Sequence, residues 1–364
     1  MARQISPEVA QSHLSSFIES GRSRGESAMA LMRDEFLNRT DRIVDSTEIE
    51  WTPTDSGLLV RYGTNGDREQ RSMTPHAQRQ ILERVGVPPK FYSDLAGDPL
   101  DVPVVARLLS DLAANHPQRM LLRSVRGTVK GALSDSYRPL DFAPLAEQFL
   151  VAGIAAGMIV VGGSVTETRV EISMILPRIM EPTPGEFIVF GVSLITSDYG
   201  RHALVIPFNA TRLVCVNGML GTNLFRKVHL GKRFEDGADF LSAETKALDS
   251  QTVGSAIRDL IAGDRFRQEI DRTVALIADG SRGESLDAEG VIDRWQRRGR
   301  ITREEARKAS VLYREVDVVE QLPASPGLWR LSNVFSLMAG NVPDNTDRRL
   351  DLMEVAAEVL EATK

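Results

Sequence analysis

The sequence predicts an α+β protein, in which a curved antiparallel sheet with a packed helix is followed by a helical C-terminal region. The β-like segments concentrate in the middle third of the chain, and the short turns between them imply antiparallel pairing. In one segment Val170, Ile172 and Met174 alternate with polar Glu171 and Ser173, the period of a half-buried strand. From about Asp239 onward only helical patterns occur. These three observations define the class.

The N-terminal third is predicted to contain helices and one hairpin. Residues 1–45 are expected to form a polar helical arm, broken at the GRSRGES stretch of residues 21–27. The hairpin pairs residues 49–51 with 58–62, because turn-forming residues separate two β-like runs. Two helices follow, at about residues 75–85 and 102–114. Pro75 suits the first turn of the earlier one.

The middle of the chain is predicted to contain three more hairpins, which build an α+β core over residues 46–236. Their strands cover residues 120–126 with 128–134, 158–166 with 169–176, and 187–196 with 202–216. The first hairpin turns about Gly127, and the third contains Gly200, where a positive φ costs a glycine little. A helix over about residues 139–156 is expected to pack on the sheet.

The C-terminal region, residues 237–364, is predicted to be helical. Its helices are expected at about residues 240–259, 265–278, 286–297, 302–315, 328–338 and 346–362. Thr302 and Glu305 have the Ser/Thr-x-x-Glu spacing of a capping box, which marks the start of the fourth of these helices.

Composition indicates a soluble cytoplasmic protein. The chain has 364 residues, of which 42% are hydrophobic and 26% are charged, and its formal net charge is −6. No run approaches the roughly 20 apolar residues that span a bilayer, and the N-terminus has no apolar signal core. No membrane association is therefore predicted. The single cysteine, Cys215, excludes an intramolecular disulfide and fits a reducing compartment.

Motifs for familiar enzyme chemistry are absent from the sequence. It contains no phosphate-binding G-x-x-x-x-G-K-[ST] loop, no G-x-G-x-x-G after a strand, no H-E-x-x-H and no cysteine spacing for zinc. No cofactor and no metal site are therefore predicted. Asp135 and Asp141 could bind a divalent ion, although turn and cap formation is the favoured role for both.

Basic residues are segregated along the chain. Residues 201–233 carry six Lys and Arg and no acid, and residues 118–134 carry four and no acid. Cations on one sheet face cannot be buried unpaired, so this face is expected to lie in solvent or opposite anions such as phosphates. A third cluster, Arg294 to Arg303, is interleaved with Glu304 and Glu305, and is predicted to be a solvated helical corner.

The basic segments predict a nucleic-acid interface. Its phosphate contacts are expected at Arg119, Arg123, Arg126, Lys130, Arg226, Lys227, Lys232 and Arg233. Tyr137 is expected to stack on a base, and Arg138 and Arg212 to orient the strand. Asn217 and Gly218 are predicted to form a structural turn with a left-handed glycine.

Several segments together resemble a known family. They are VPPKFYSDL (Val87 to Leu95), ALSDSYRPLDF (Ala132 to Phe142), GVSLITSDYGRHAL (Gly191 to Leu204), RLVCVNGM (Arg212 to Met219) and GLWRLSNVFSLMAG (Gly327 to Gly340). The chain resembles the phage- and plasmid-borne "domain of unknown function" family numbered 932. The matching positions are Asp135, Tyr137, Arg138, Arg212, Cys215, Asn217, Gly218, Trp329 and Asn333. The resemblance implies a mobile-element context and no particular activity.

The leading functional prediction is a mobile-element protein that binds or anneals single-stranded DNA, without enzymatic activity and as a homo-oligomer. The predicted fold order is similar to the core of Rad-fifty-two-type annealing proteins, which hold DNA in a basic groove; this is an analogy of fold only. One alternative is a protein–protein interaction or structural module of a phage. A second is a metal-dependent nuclease or nucleotide-processing enzyme that uses Asp135, Asp141 and another carboxylate.

Overall fold

The protein combines eleven described helices with eleven described strands. The structure, a computed structural model, describes residues 5–54, 57–63, 68–95, 101–228, 243–282, 286–315, 322–343 and 346–362. The helices are α1 (Pro7–Leu37), α2 (Pro75–Arg84), α3 (Pro89–Leu95), α4 (Val102–Asn115), α5 (Phe142–Ala155), α6 (Ala243–Ala262), α7 (Asp264–Gly280), α8 (Ala288–Arg297), α9 (Arg303–Arg314), α10 (Leu328–Gly340) and α11 (Asp347–Glu361). None of the described helices is long and apolar enough to cross a membrane.

The strands divide between two sheets. They are β1 (Arg39–Asp45), β2 (Glu50–Thr54), β3 (Gly57–Tyr62), β4 (Glu69–Met73), β5 (Arg119–Val125), β6 (Thr128–Ser134), β7 (Ile159–Val165), β8 (Val170–Ile175), β9 (Ile188–Thr196), β10 (Leu204–Arg212) and β11 (Asn217–Lys227). One sheet has the order β1-β5-β6-β4-β3-β2, and the other β11-β10-β9-β8-β7. Every pairing is antiparallel except that of β4 with β6. The predicted α+β class is confirmed, as is the helical C-terminal region.

The predicted hairpins form where the local sequence supplies the right turn. Between β5 and β6, Arg126 and Gly127 have φ of 49° and 85°, the pair of positive values that a tight hairpin turn requires. Between β9 and β10, Gly200 has φ of 81°. Thr74 caps α2 by accepting a hydrogen bond from the Ala77 amide at 3.2 Å, and Thr302 and Glu305 form the capping box of α9. Local signals of this kind were sufficient to predict these elements.

Among the described residues, two large hydrophobic cores hold the sheets, and two smaller clusters lie on the second face of the five-stranded sheet. The six-stranded sheet packs against α2 and α4 through buried residues such as Leu82, Leu109 and Leu122. One face of the five-stranded sheet packs against α5 and the C-terminal helices in what we call the main core, where Phe149 and Phe335 are fully buried. The opposite face of that sheet is covered in part by α1.

The N-terminal arm differs from its prediction in two ways. Helix α1 runs without a break through residues 21–27. Gly21 and Gly25 lie on the side of the helix that faces β7, and their lack of a side chain allows the close approach. A Cβ atom on Gly21 would lie 1.8 Å from the Val161 carbonyl oxygen. The arm also ends as a strand, since β1 pairs along its whole length with β5. The glycines therefore serve packing here, and the predicted helix break is wrong.

Candidate nucleic-acid interface

Arg123 lies in the interior of the protein, and its predicted contact with phosphate is wrong. Its side chain is 1% exposed. Nε and Nη2 each donate to the Asp41 carboxylate at 2.8 Å, and Nη1 donates to Asp141 Oδ1 at 2.8 Å and to the Asp198 carbonyl oxygen at 3.0 Å. The anions that face this cation are therefore carboxylates of the same chain. Asp41 is available because β1 lies beside β5.

The surrounding network connects the two sheets. Arg123 belongs to β5, whereas Asp198 lies in the turn after β9. The Asp198 carboxylate accepts a hydrogen bond from the Phe142 amide at 2.9 Å, at the N-terminus of α5, where the helix dipole favours negative charge. Arg39 binds the second oxygen of Asp141 at 2.6 Å. Burial, reinforced by the neighbouring Asp141, raises the pKa of Asp198 to about 7.

The other cations of the β5–β6 hairpin lie nearer to solvent. Arg119 is exposed. Arg126 forms an ion pair with Asp34, and Lys130 forms one with Glu35. Both acids lie near the end of α1. These two ion pairs neutralise part of the positive charge of the hairpin within the chain. The contacts of Arg119, Arg126 and Lys130 with nucleic acid stay predictions.

Tyr137 packs within the same network. Its hydroxyl donates to the Ser197 carbonyl oxygen at 3.4 Å, and the Arg123 guanidinium lies 5.6 Å from the centre of its ring. Burial raises the pKa of Tyr137 well above its ordinary value. This packing favours a structural role over the predicted stacking on a base. Arg138, beside it, is half-buried.

Arg212 is also buried, and the prediction that it orients a DNA strand is wrong. Its Nε and Nη2 bind the Glu186 carboxylate at 2.5 Å and 2.8 Å. Glu186 accepts a further hydrogen bond from Trp329 Nε1 at 3.1 Å. Arg212 therefore joins β10 to α10 through a shared carboxylate. Arg212 and Trp329 are both positions of the family resemblance described above. In this structure both have a structural role, because each binds Glu186.

The basic end of β11 is only partly described. Arg226 is exposed and Lys227 is half-buried. Lys232 and Arg233, the other two predicted contacts of this segment, lie outside the described residues. Their contacts with nucleic acid stay predictions.

The predicted turn at Asn217 and Gly218 is wrong. The β10–β11 turn covers residues 213–216, and Val216 has the positive φ, at 53°. Asn217 and Gly218 are the first residues of β11, where they pair with Arg212 and Thr211. This register places the turn immediately before the Asn-Gly pair, so Gly218 has no need of a left-handed backbone.

An exposed basic surface is formed by α8, α9 and the turn between them, here called the basic corner. Gly299 reverses the chain with φ of 70°, and Arg300 N donates to the Trp295 carbonyl oxygen at 3.1 Å. Trp295, Ile301 and Ala309 are buried in the main core. The core fixes this corner in place.

Of the two acids in the corner, Glu305 binds Arg348 of α11 at 2.5 Å, whereas Glu304 is exposed. One cation of the corner is paired as well, because Arg300 binds Glu358 of α11 at 2.6 Å. Five cations remain exposed and form no ion pair with any described residue: Arg294, Arg298, Arg303, Arg307 and Lys308. The sequence predicted a solvated helical corner and missed these ion pairs, because the partners on α11 are about 50 residues away along the chain.

The carboxylates of the nuclease alternative do not gather into a metal site. Asp141 is held by Arg39 and Arg123, while Asp135 accepts a hydrogen bond from Ser134 at 3.4 Å. Among the described residues, no group of three or more His, Cys, Asp or Glu side chains is placed to hold a metal ion.

Comparisons of the chain with protein-family models, with curated proteins and with solved structures gave no match in any of the three. The resemblance to the family numbered 932 therefore stays a prediction. What the fold and the site define is an α+β protein with two sheets and an exposed basic corner.

Proposed function

We propose that this chain is a DNA-binding protein that contacts the phosphate backbone with its basic corner, and that single-stranded DNA is its ligand. One observation carries the proposal. Residues 294–308 contain seven Lys and Arg and two carboxylates, and α11 binds one of those carboxylates, Glu305. Arginine is well suited to such a surface because its planar fork matches phosphate oxygens.

The spacing of these cations supports contact with an extended polyanion. Arg294 and Arg298 are four residues apart at the end of α8, and Arg303 and Arg307 are four apart on α9, so each pair shares one helix face. The exposed face of α9 carries Arg303, Arg307 and Lys308.

The corner offers cations rather than stacking surfaces. Trp295 is 3% exposed and its ring lies under the Arg298 guanidinium, 5.2 Å from it. Base stacking contributes about 1–3 kcal/mol per base where aromatic rings are accessible. Binding at this corner is therefore expected to depend on phosphates and to be insensitive to base sequence.

A salt titration tests the proposal. Fluorescence anisotropy of a labelled single-stranded oligonucleotide, without magnesium, should give a log–log slope of roughly −3.5, because five neutralised phosphates contribute about −0.7 each. A slope near zero, or no binding at low salt, would overturn the proposal. A duplex of the same sequence is measured in parallel, and tighter binding to the duplex would exclude single-stranded DNA as the preferred ligand.

We also propose that the protein acts as a homo-oligomer and anneals complementary strands, and these two parts of the proposal require their own measurement. Native mass spectrometry with and without the oligonucleotide should show more than one copy of the chain per DNA strand. Two complementary labelled strands should pair faster in the presence of the protein. If the protein is a monomer that binds DNA without accelerating pairing, the annealing and oligomer parts are wrong and only single-strand binding stands.

A further inference from the structure

A cleft of about 650 Å³, here called the α1–α5 cleft, lies between α1 and α5 and reaches β7, an edge strand of the five-stranded sheet. Met29 lines it from α1, Leu150 from α5, and Ile159 and Val160 from β7. Each of these four side chains is partly exposed, so the cleft contains apolar surface that solvent reaches. No residue of the basic corner lines it.

Helix α5 carries an exposed apolar ridge beside this cleft. Val151 is 63% exposed and Ile154 is 65% exposed. They lie three residues apart and therefore share one face of the helix, and Ile154 itself lines the cleft. Scattered apolar residues on a surface need no explanation, whereas a contiguous apolar patch marks an interaction site. The cleft and the adjoining ridge together form such a patch.

Helices α1 and α5 run in opposite directions along the cleft. At one end, Arg33 of α1 pairs with Glu147 of α5 at 2.5 Å. At the other end, Gly25 of α1 lies against β7, since a Cβ atom on Gly25 would be 2.5 Å from Val160 Cγ1. Because β7 follows α5 directly in the element order, α5 runs from the Arg33 end of the cleft toward the Gly25 end.

The charged side chains of the cleft are balanced in sign. Its lining contains two arginines and two glutamates, Arg22, Arg33, Glu26 and Glu147. Arg33 and Glu147 already pair, whereas Arg22 and Glu26 are exposed and form no ion pair with any described residue. A rim without net charge gives no attraction to a polyanion, and it fits a partner surface that offers both signs. A second copy of the same chain is such a surface.

We propose that two copies of this chain pair through the α1–α5 cleft, each placing the ridge of its α5 in the cleft of the other. A two-fold pair uses the same patch on both copies. The charges select an antiparallel alignment of the two α5 helices. This alignment brings Glu147 of one copy to the Gly25 end of the other copy, where Arg22 lies, whereas a parallel alignment sets the two Glu147 carboxylates against each other.

Apolar burial and charge have different parts in this pairing. Burial of the two ridges supplies the driving force, and the contacts between Arg22 and Glu147 at the rim set the orientation. The inference rests on the oligomer part of the proposed function and not on the DNA contact. Since no residue of the basic corner lines the cleft, the pair carries two basic corners outside it.

Analytical ultracentrifugation of the full chain without DNA, over a series of concentrations, tests the proposal. The parent should sediment as two copies. Ile154→Asp should weaken the pairing about tenfold or more, because a charge then enters the apolar cleft. Val104→Asp changes an equally exposed apolar residue of α4, 67% exposed, and should alter the pairing less than about twofold. A monomeric parent would overturn this inference together with the oligomer part of the proposed function, whereas an oligomer that Ile154→Asp leaves intact would overturn this inference alone.

A charge exchange tests the alignment. Arg22→Glu and Glu147→Arg should each weaken the pairing, and the variant with both changes should pair within about threefold of the parent, because the attraction between positions 22 and 147 is restored. Arg24→Glu, exposed on α1 and outside the lining of the cleft, should have a much smaller effect than Arg22→Glu. No recovery in the double variant would overturn the antiparallel alignment. A small apolar molecule found by native mass spectrometry on a monomeric chain would overturn a second copy as the occupant.

Discussion

Arg123 and Asp41 face each other directly across β5 and β1 and form two parallel hydrogen bonds, Nε to Oδ1 and Nη2 to Oδ2, each of 2.8 Å. The pair joins residues 82 positions apart in the chain. It fixes the first strand of the six-stranded sheet to the second, and through Asp141 and Asp198 it extends to the other sheet. A residue that the sequence assigned to a DNA contact is thus a central structural residue.

Arg123→Ala should destabilise the protein by about 3–5 kcal/mol. Removal of one partner of a buried ion pair is strongly destabilising, and in this case the carboxylates of Asp41 and Asp141 lose the hydrogen bonds that Arg123 donates to them. Urea denaturation followed by circular dichroism measures the change. Arg119→Ala, at an exposed position of the same strand, is the control and should stay within about 0.5 kcal/mol of the parent. Equal unfolding midpoints for the two variants would refute the structural role of Arg123.

Asp198 should make the protein less stable as the pH rises from about 4 to 7. Its pKa in the folded protein is about 7, whereas an unperturbed aspartate has a pKa of about 3.9. Between these values the folded chain holds a proton that the unfolded chain has released, so the free energy of unfolding falls with rising pH. Asp198→Asn stays neutral, and its melting temperature should depend less on pH across this range.

The titration of His202 changes stability with pH in the opposite direction to that of Asp198, so the two contributions must be measured separately. Burial, reinforced by Arg169, lowers the pKa of His202 to about 4, so this group makes the protein more stable as the pH rises from about 4 to 6.5. Both the parent and Asp198→Asn contain His202, so the difference between their melting temperatures isolates Asp198. A difference that is the same at pH 5 and pH 8 would contradict the prediction.

Val216→Asn should stabilise the protein by about 1 kcal/mol. Val216 is a β-branched residue at φ of 53°, a conformation that costs such residues of the order of 1–3 kcal/mol. Asparagine adopts this backbone region more readily, and Val216 is 39% exposed, so little burial is lost. Thermal denaturation measures the gain. Val216→Ile retains the β-branch and should show none.

Gly21→Ala should destabilise the protein by about 1–3 kcal/mol, the usual cost of overpacking. Helix propensity alone predicts the opposite sign, because alanine is favoured over glycine within a helix by about 1 kcal/mol. The added Cβ would meet the backbone of Val161, which cannot rotate away as a side chain would. Gly162→Ala, on the facing strand, is the control, because its Cβ would make only an ordinary van der Waals contact with the Ser173 Cβ at 3.8 Å. A higher melting temperature for Gly21→Ala would show that α1 does not pack closely on β7.

Arg307→Glu should weaken DNA binding about tenfold or more and make the salt dependence shallower, since a phosphate contact is lost and a repulsive charge replaces it. Arg107→Glu makes the same change in net charge at an exposed position of α4 and should have a much smaller effect. Anisotropy titrations at a series of salt concentrations compare the affinity and the salt slope of the two variants. If both variants bind equally well, the basic corner is not the contact surface.

The sequence by itself determined the elements whose causes are local. The β5–β6 turn requires positive φ at Arg126 and Gly127, and the capping box of α9 requires Thr302 and Glu305 three residues apart. Short turns also sufficed to predict antiparallel hairpins and the α+β class. Each of these depends on neighbours within a few positions, so a single sequence contains the information.

Only the tertiary structure decided which cations are free to meet a polyanion. Arg123 and Arg212 lie in acid-free segments, yet each binds a carboxylate that another segment brings beside it, Asp41 and Glu186 respectively. The basic corner, by contrast, lies among acids in the sequence, and α11 withdraws Glu305 from it. Electrostatic pairing depends on distance in space, and the packing of strands and helices sets that distance independently of position along the chain.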